Sequence, residues 1–169
     1  MHVVNYSSKF ADVKSAMCQP NGLAVLAFFF EIDINPNPAY TEIVKKLPEI
    51  TEPGSRTKIT TIPLKRLLPT DLQHFYRYEG SLTTPPCNET VTWTVFKTPV
   101  QISEDQISIF RSLKSSDIDP ETNTNYPLVN NVRPLQSLND RVVYANFTTI
   151  QPVKKKSLLQ RCRCFQPAD

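Results

Sequence analysis

The side chains of this 169-residue chain that are equipped for chemistry are few: two histidines, four cysteines and a run of small, hydroxyl-bearing and proline residues at 80–86. A catalytic zinc site draws on three protein donors and a structural one on four, so neither His2 nor His74 makes one alone. Taken by itself, His2 reads as a solvated residue at a chain start. Cys18, Cys87, Cys162 and Cys164 match no zinc-finger spacing, because neither a second pair nor a suitably placed histidine follows Cys162-Arg163-Cys164. The run Gly80-Ser81-Leu82-Thr83-Thr84-Pro85-Pro86, read alone, is a rigid surface loop, with glycine for a turn and paired prolines for stiffness.

The elements that must position these residues are mostly strands. Residues 1–6 alternate, with His2, Val4 and Tyr6 on one face and Val3 and Asn5 on the other. Residues 7–22 read as a loop or short turn. The Val-, Ile- and Phe-rich run 23–34 predicts one long central strand, ended by Asn35-Pro36-Asn37-Pro38. Residues 58–64 predict another strand or edge. In 90–96, Val91, Trp93 and Val95 alternate with threonines, the pattern of a half-buried strand. A last strand is expected at 142–147.

Two helices are marked. Asn37 as N-cap and Pro38 at the first position open one that Pro48 closes, with Tyr40, Ile43, Val44 and Leu47 at helical spacing. The second is expected over about 103–114: Ser103 and Gln106 form a capping box, Ile102 and Ile107 a hydrophobic staple, and Phe110 and Leu113 extend the buried stripe. Residues 117–141 read as irregular, anchored by Leu128, Val129, Val132 and Leu135. The expected fold class is mainly β (α+β), and residues 149–169 are expected to be a basic, flexible tail.

Bulk properties bound the function. Hydrophobic residues at 40% and charged ones at 21% suit a globular domain with its own core. A net charge of +3, spread except in the tail, does not point to nucleic acid. The longest apolar run, 23–30, falls far short of the ~20 residues of a membrane-spanning helix. No signal peptide is expected in Met1-His2-Val3-Val4-Asn5-Tyr6. Three N-x-S/T triplets, at Asn5, Asn88 and Asn146, tilt weakly toward a secreted glycoprotein, with Asn88 and Asn146 expected to be accessible.

One segment decides the family. Tyr78-Glu79-Gly80-Ser81-Leu82-Thr83-Thr84-Pro85-Pro86-Cys87, followed by Val91-Thr92-Trp93, resembles the α-carbonic anhydrase signature. Gln19-Pro20-Asn21-Gly22-Leu23-Ala24-Val25-Leu26, the stretch from Pro99 to Arg111, and Asn130-Asn131-Val132-Arg133-Pro134-Leu135-Gln136 agree with the same family in order and spacing. The resemblance covers residues 1 to about 145. It implies a large, twisted, mostly antiparallel sheet with a few short surface helices, 1–148 being a partial domain whose N-terminal strands are missing.

The same resemblance implies zinc held by three histidines, with a bound water whose pKa falls to ~7, attacking CO₂ to give bicarbonate. Met1-His2-Val3-Val4 matches the end of the strand carrying the third ligand, so His2 is the implied metal residue. Thr83 is the implied catalytic gatekeeper, its hydroxyl orienting the attacking oxygen and its N–H meeting the bound anion. Thr84 stands beside it on the polar wall. Leu82, Val4, Val25, Val91 and Trp93 match the apolar wall that receives CO₂.

The family's His-x-His pair, the acid that orients the gatekeeper hydroxyl, the glutamate that precedes the third ligand and the proton-shuttle histidine are absent from these residues, and His74 falls where the family binds no metal. Asn5 stands where many members bury another histidine, so its triplet is expected to stay unmodified if the strand is buried. Cys87 is similar to a cysteine of secreted and membrane-bound members that pairs with one near the domain's start; extracellular residence is implied, with the missing first half of the domain as a possible partner. The chain by itself is therefore expected to be inactive and doubtful as an independent folder, with a sheet edge exposed. The alternatives are a non-catalytic carbonic-anhydrase-related binding module and, more remotely, a membrane-surface adaptor using the basic tail.

Overall fold

The alternating stretches become strands, and the longest uninterrupted apolar run breaks in two. The structure, a computed structural model, describes residues 1–148; the expected tail at 149–169 lies outside them. In chain order the elements are β1 (His2–Tyr6), α1 (Val13–Met17), β2 (Leu23–Ala27), β3 (Phe30–Asp33), α2 (Thr41–Lys46), β4 (Phe75–Gly80), β5 (Val91–Phe96), β6 (Val100–Ser103), α3 (Glu104–Arg111), β7 (Lys114–Asp119), β8 (Thr124–Pro127) and β9 (Tyr144–Ala145). Strands predominate and the helices are few and short, as the sequence predicts. They fall into two units, the first built from residues 1–30, 68–100 and 133–148, the second from 31–67 and 101–132.

The first unit is a five-stranded sheet in the order β1-β2-β5-β4-β9. Its pairs are antiparallel except β2 with β5, which run parallel. The registers stack side chains into rows across the sheet. Val4 lies opposite Val25, Val25 opposite Trp93 and Trp93 opposite Tyr78. Because side chains alternate, that face also carries Leu23, Ala27 and Val91, which with Val25, Trp93 and Ala16 of α1 form the unit's core. The other face carries Thr92, which donates to Glu79 at 3.0 Å, and Thr94, whose hydroxyl accepts from Arg77. One face carries the apolar row, whereas the other mixes these polar pairs with apolar side chains, among them the buried Phe96, whose ring meets Phe75.

β1 ends the sheet among the described residues. Its odd-numbered backbone groups face β2: Met1 and Phe28 exchange bonds at 2.8 and 3.1 Å, and Ser7 N–H donates to Gly22 O at 2.9 Å. Antiparallel alternation then turns the N–H and C=O groups of His2, Val4 and Tyr6 toward the open edge. The expected exposed edge is present. Asn5 is exposed rather than buried, its amide reaching Val3 O and Ala24 O at 3.4 Å.

The second unit holds the β3–β6 ribbon, the β7–β8 hairpin, α2 and α3. The capping box expected for α3 is formed: Ser103 Oγ accepts from Gln106 N–H at 3.2 Å, and Gln106 Oε1 accepts from Ser103 N–H at 3.3 Å. The same buried Gln106 also accepts from Asn37 N–H at 2.7 Å and donates to Asn37 O at 2.8 Å, which fixes α3 against the loop that leads into α2. Asn37 Oδ1 in turn accepts from Ala39 N–H at 3.0 Å, opening the 3-10 turn Pro38–Tyr40 that leads into α2.

Tyr40 is buried in this unit and donates its hydroxyl to Leu67 O at 2.6 Å. Burial pushes its pKa from 10.0 up to about 12. The folded chain therefore keeps the proton after the unfolded chain has lost it, and stability falls as pH rises from about 10 to about 12. Alkaline denaturation followed by circular dichroism is expected to show this loss, and Tyr40→Phe to flatten it.

Several expected elements differ. The predicted strand 23–34 divides at Phe28 and Phe29 into β2 and β3, because a continuous apolar run carries no mark of where the chain leaves one sheet for another. Residues 58–64 form no strand; they are largely exposed and lead to a 3-10 turn at Leu64–Leu67. The expected loop 7–22 contains α1, whose Asp12 cap accepts from Ser15 N–H at 2.8 Å. Residues 117–141 are not wholly irregular, since β7 and β8 close a hairpin in which Asn123 takes φ +54°. α3 stops at Arg111, before the expected 114, and the last strand shrinks to Tyr144–Ala145.

Candidate functional site

Everything the sequence singles out as a site lies in the first unit. His2 and Val4 share the face of β1 that continues into Val25, Val91 and Trp93. The His2 ring meets Trp93 edge-on, with centroids 4.8 Å apart, and Tyr78 stacks on the far side of Trp93 at 6.4 Å and 10°. Leu82 packs against the same cluster. Val25, Val91 and Trp93 are buried, whereas Val4 is 55% exposed. The result is an apolar wall whose open end carries an imidazole. His2 titrates below its usual range, first because its ring is partly desolvated and then because the Met1 ammonium is close by. A neutral imidazole is the form that can donate a lone pair to a metal.

The loop of residues 81–87 is held at its base from three directions. Trp93 Nε1–H donates to Ser81 O at 3.0 Å. Arg133 donates from Nη1 to Ser81 Oγ at 3.1 Å and to Leu82 O at 3.3 Å. Leu82 N–H donates to Asn88 O at 3.0 Å, closing the loop on itself. Beyond that base Thr83 and Thr84 are exposed, and among the described residues neither hydroxyl has a hydrogen-bond partner. The Pro85–Pro86 bond is cis, and Cys87 N–H donates to Thr84 O at 2.9 Å. A stiff, exposed pair of hydroxyls on an anchored loop is suited to meeting a small polar ligand.

Sequence reasoning missed the parts that hold this loop. Gly80 gives room where the Tyr78 and Trp93 rings meet: a Cβ there would lie 2.9 Å from Tyr78 Cε2 and 3.0 Å from Trp93 Cδ1. Arg133 was legible only as part of its motif, because its contact spans 52 positions in sequence. Of the glycosylation triplets, Asn88 uses its amide on Met17 O at 2.8 Å, and Asn146 uses both ends of its own, accepting from Phe75 N–H and donating to Gln73 O. Asn88 is half-buried, less accessible than expected.

His74 stands apart from the wall. Its Nδ1 lies 2.5 Å from Asp71 Oδ2, and its ring meets Phe147 edge-on. That bond, together with the Gln73 N–H, holds the Asp71 carboxyl below the usual carboxylate range. The imidazole is exposed and structural.

The donor set does not fit a zinc ion. His2 is the one imidazole on the wall, and no group of three histidine, cysteine, aspartate or glutamate side chains capable of holding a metal occurs among the described residues. No helix there is long and apolar enough to cross a membrane.

The mixed sheet, the anchored Ser81-Leu82-Thr83-Thr84-Pro85-Pro86 loop and the Trp93 wall place the chain in a class, and the chain belongs to the carbonic anhydrase family: the model of eukaryotic-type carbonic anhydrase matches residues 1–147. Members of this family generally depend on zinc and act on CO₂ and bicarbonate. The chain is 39% identical to carbonic anhydrase 6 of Mus musculus over 151 residues, 89% of this chain and 46% of that protein. It is 37% identical to carbonic anhydrase 12 of Homo sapiens, over 89% of this chain and 42% of that protein, and 38% identical to carbonic anhydrase 4 of Oryctolagus cuniculus, over 85% and 46%. The chain spans about half the length of the curated relatives it matches.

Proposed function

We propose that residues 1–148 supply the CO₂-receiving wall and the gatekeeper loop of a carbonic anhydrase domain, one that reversibly hydrates CO₂ when complete, and that a polypeptide of these 169 residues alone is inactive. The row Val4–Val25–Trp93, with His2 at its end, is the observation that supports this reading most. A linear, uncharged substrate loses little by leaving water for such a surface. Thr83 is the group assigned to orient the reacting oxygen and Thr84 its polar neighbour; Leu82 and Val91 complete the wall. His2 is one of three imidazoles that a zinc ion would require, and no catalytic step is possible on it alone. Residues 149–169 are a basic extension outside the domain, and an extracellular location fits the cysteine after the paired prolines.

The test is complementation. The chain is mixed or co-expressed with the first half of a relative such as human carbonic anhydrase 6, which it matches at 41% identity. Hydration of CO₂ is expected to appear in the mixture, and Thr83→Val to lower it about 10²–10³-fold, the usual loss for a group that positions charge in a transition state. A mixture that binds zinc stoichiometrically but leaves CO₂ unhydrated would favour the alternative, a carbonic-anhydrase-related binding module.

A further inference from the structure

Asn21 precedes Gly22, and it is the chain's one asparagine with a glycine after it. Glycine has no side chain to hinder its own nitrogen, so in an open chain that nitrogen reaches the amide carbon of the asparagine before it. Asn123, Asn130 and Asn139 share the left-handed backbone of Asn21, but threonine, asparagine and aspartate follow them. Asn21 is exposed, at φ +55°, whereas Gly22 is buried. The backbone that follows Asn21 is held at successive groups. Gly22 N–H donates to Gln19 O at 3.0 Å, Gly22 O accepts from Ser7 N–H at 2.9 Å, and Leu23 N–H donates to Thr90 O at 3.1 Å. Gly22 has no slack around its Cα either, since a Cβ there would meet Ala16 O, Ala16 C and Gln19 O, all of them backbone. A nucleophile and its target thus adjoin in sequence, while the fold keeps the nitrogen occupied.

We propose that Asn21 is a deamidation site that the folded turn protects, reacting only when the junction of α1 with β2 opens. In the opened chain the Gly22 nitrogen loses its proton to hydroxide and attacks Asn21 Cγ. The new C–N bond closes a succinimide ring, the bond to the side-chain nitrogen breaks, and that nitrogen takes a proton from solvent and leaves as ammonia. Water then adds to either ring carbonyl, giving aspartate or, with the main chain rerouted through the side chain, isoaspartate. The net change is one water taken up and one ammonia released, with no oxidant or metal. In the folded turn the same attack requires Gly22 N–H to abandon Gln19 O and the pinned backbone to swing round. The two products then differ in refolding. Aspartate keeps the backbone and tolerates positive φ. Isoaspartate lengthens the main chain by a methylene beside a glycine packed on backbone atoms, which is overpacking without relief. Neither outcome depends on the chain's activity.

The experiment incubates the full chain in mildly alkaline buffer, with and without urea, and follows the tryptic peptide 15–45 by mass spectrometry. Asn35 and Asn37 share that peptide, but each precedes a proline, whose nitrogen has no proton to lose. Conversion of an amide to an acid there is therefore assigned to Asn21. It is expected to run at least about tenfold faster in urea, where the turn is open. After urea is removed, chains labelled by an isoaspartyl methyltransferase are expected in the expanded or aggregated fraction on gel filtration, and the aspartyl chains in the compact one. Asn21→Asp, a copy of the second product, is expected to melt within about 4 °C of the parent chain. Equal rates with and without urea would overturn the proposal, as would an Asn21 that stays unconverted in urea. Isoaspartyl chains that refold into the compact fraction, or an Asn21→Asp chain that fails to fold, would overturn it too.

Discussion

Replacing Trp93 with alanine is expected to lower the unfolding free energy by about 3–5 kcal/mol, the usual cost of deleting a buried aromatic side chain. The ring is 5% exposed, lies in the middle of the core row between Val25 and Tyr78, and stacks with Tyr78. Its removal also leaves Ser81 O without the indole N–H that anchors the loop base. Trp93→Phe separates the two effects: it keeps much of the apolar contact and loses the donor, so about 1–2 kcal/mol of the cost should remain. Urea denaturation followed by far-ultraviolet circular dichroism measures both, since Trp93 is the chain's single tryptophan and fluorescence would vanish with it. A cost below about 1 kcal/mol for the alanine variant would mean that the row is not the core of the first unit.

Gly22→Ala is expected to be comparably severe, at about 3 kcal/mol or more, because the overpacking has no route of relief. A Cβ on residue 22 would stand 1.9 Å from Ala16 O, 2.7 Å from Ala16 C and 2.9 Å from Gln19 O. All three are backbone atoms, so no rotamer change clears the space. The same residue accepts from Ser7 N–H and donates to Gln19 O, joining β1, α1 and β2. Moving it displaces the start of the central strand. The matching measurement is thermal unfolding of the variant beside Gly54→Ala, whose glycine has no atoms within 4 Å but a φ of +79°. The Gly54 change is expected to cost about 1 kcal/mol by backbone strain alone, and a smaller effect at Gly22 than at Gly54 would contradict the packing argument.

These two residues also show what the sequence made legible. Trp93 and Val91 were readable because alternation with threonine over 90–96 is a local signal, and α3 because Ser103 and Gln106 form a capping box within four residues. Gly22 was readable as part of a motif, but the close approach of Ala16 that demands glycine depends on α1, a five-residue helix too short to show a helical period. β7 and β8 were hidden for a related reason: Lys114-Ser115-Ser116-Asp117-Ile118-Asp119 has no apolar alternation, and its pairing is set by the partner strand. Residues 58–64 misled because threonine and isoleucine favour a strand only where a neighbour pairs with them. The site followed the same rule. The wall could be listed from motif resemblance, whereas the Arg133 clamp and the Gly80 clearance arise from contacts between distant positions.

The open edge of β1 and the single imidazole beside it, among the described residues, both support the proposal that this polypeptide supplies the substrate-facing part of a carbonic anhydrase site and too few donors to hold its metal. The direct measurement is zinc content by atomic emission, alongside stopped-flow CO₂ hydration, on the purified 169-residue chain after equilibration with zinc and removal of excess. Zinc well below one equivalent and hydration at the uncatalysed rate are expected. One tightly held zinc per chain with catalysed hydration would show that other side chains complete the site, and the account would be wrong.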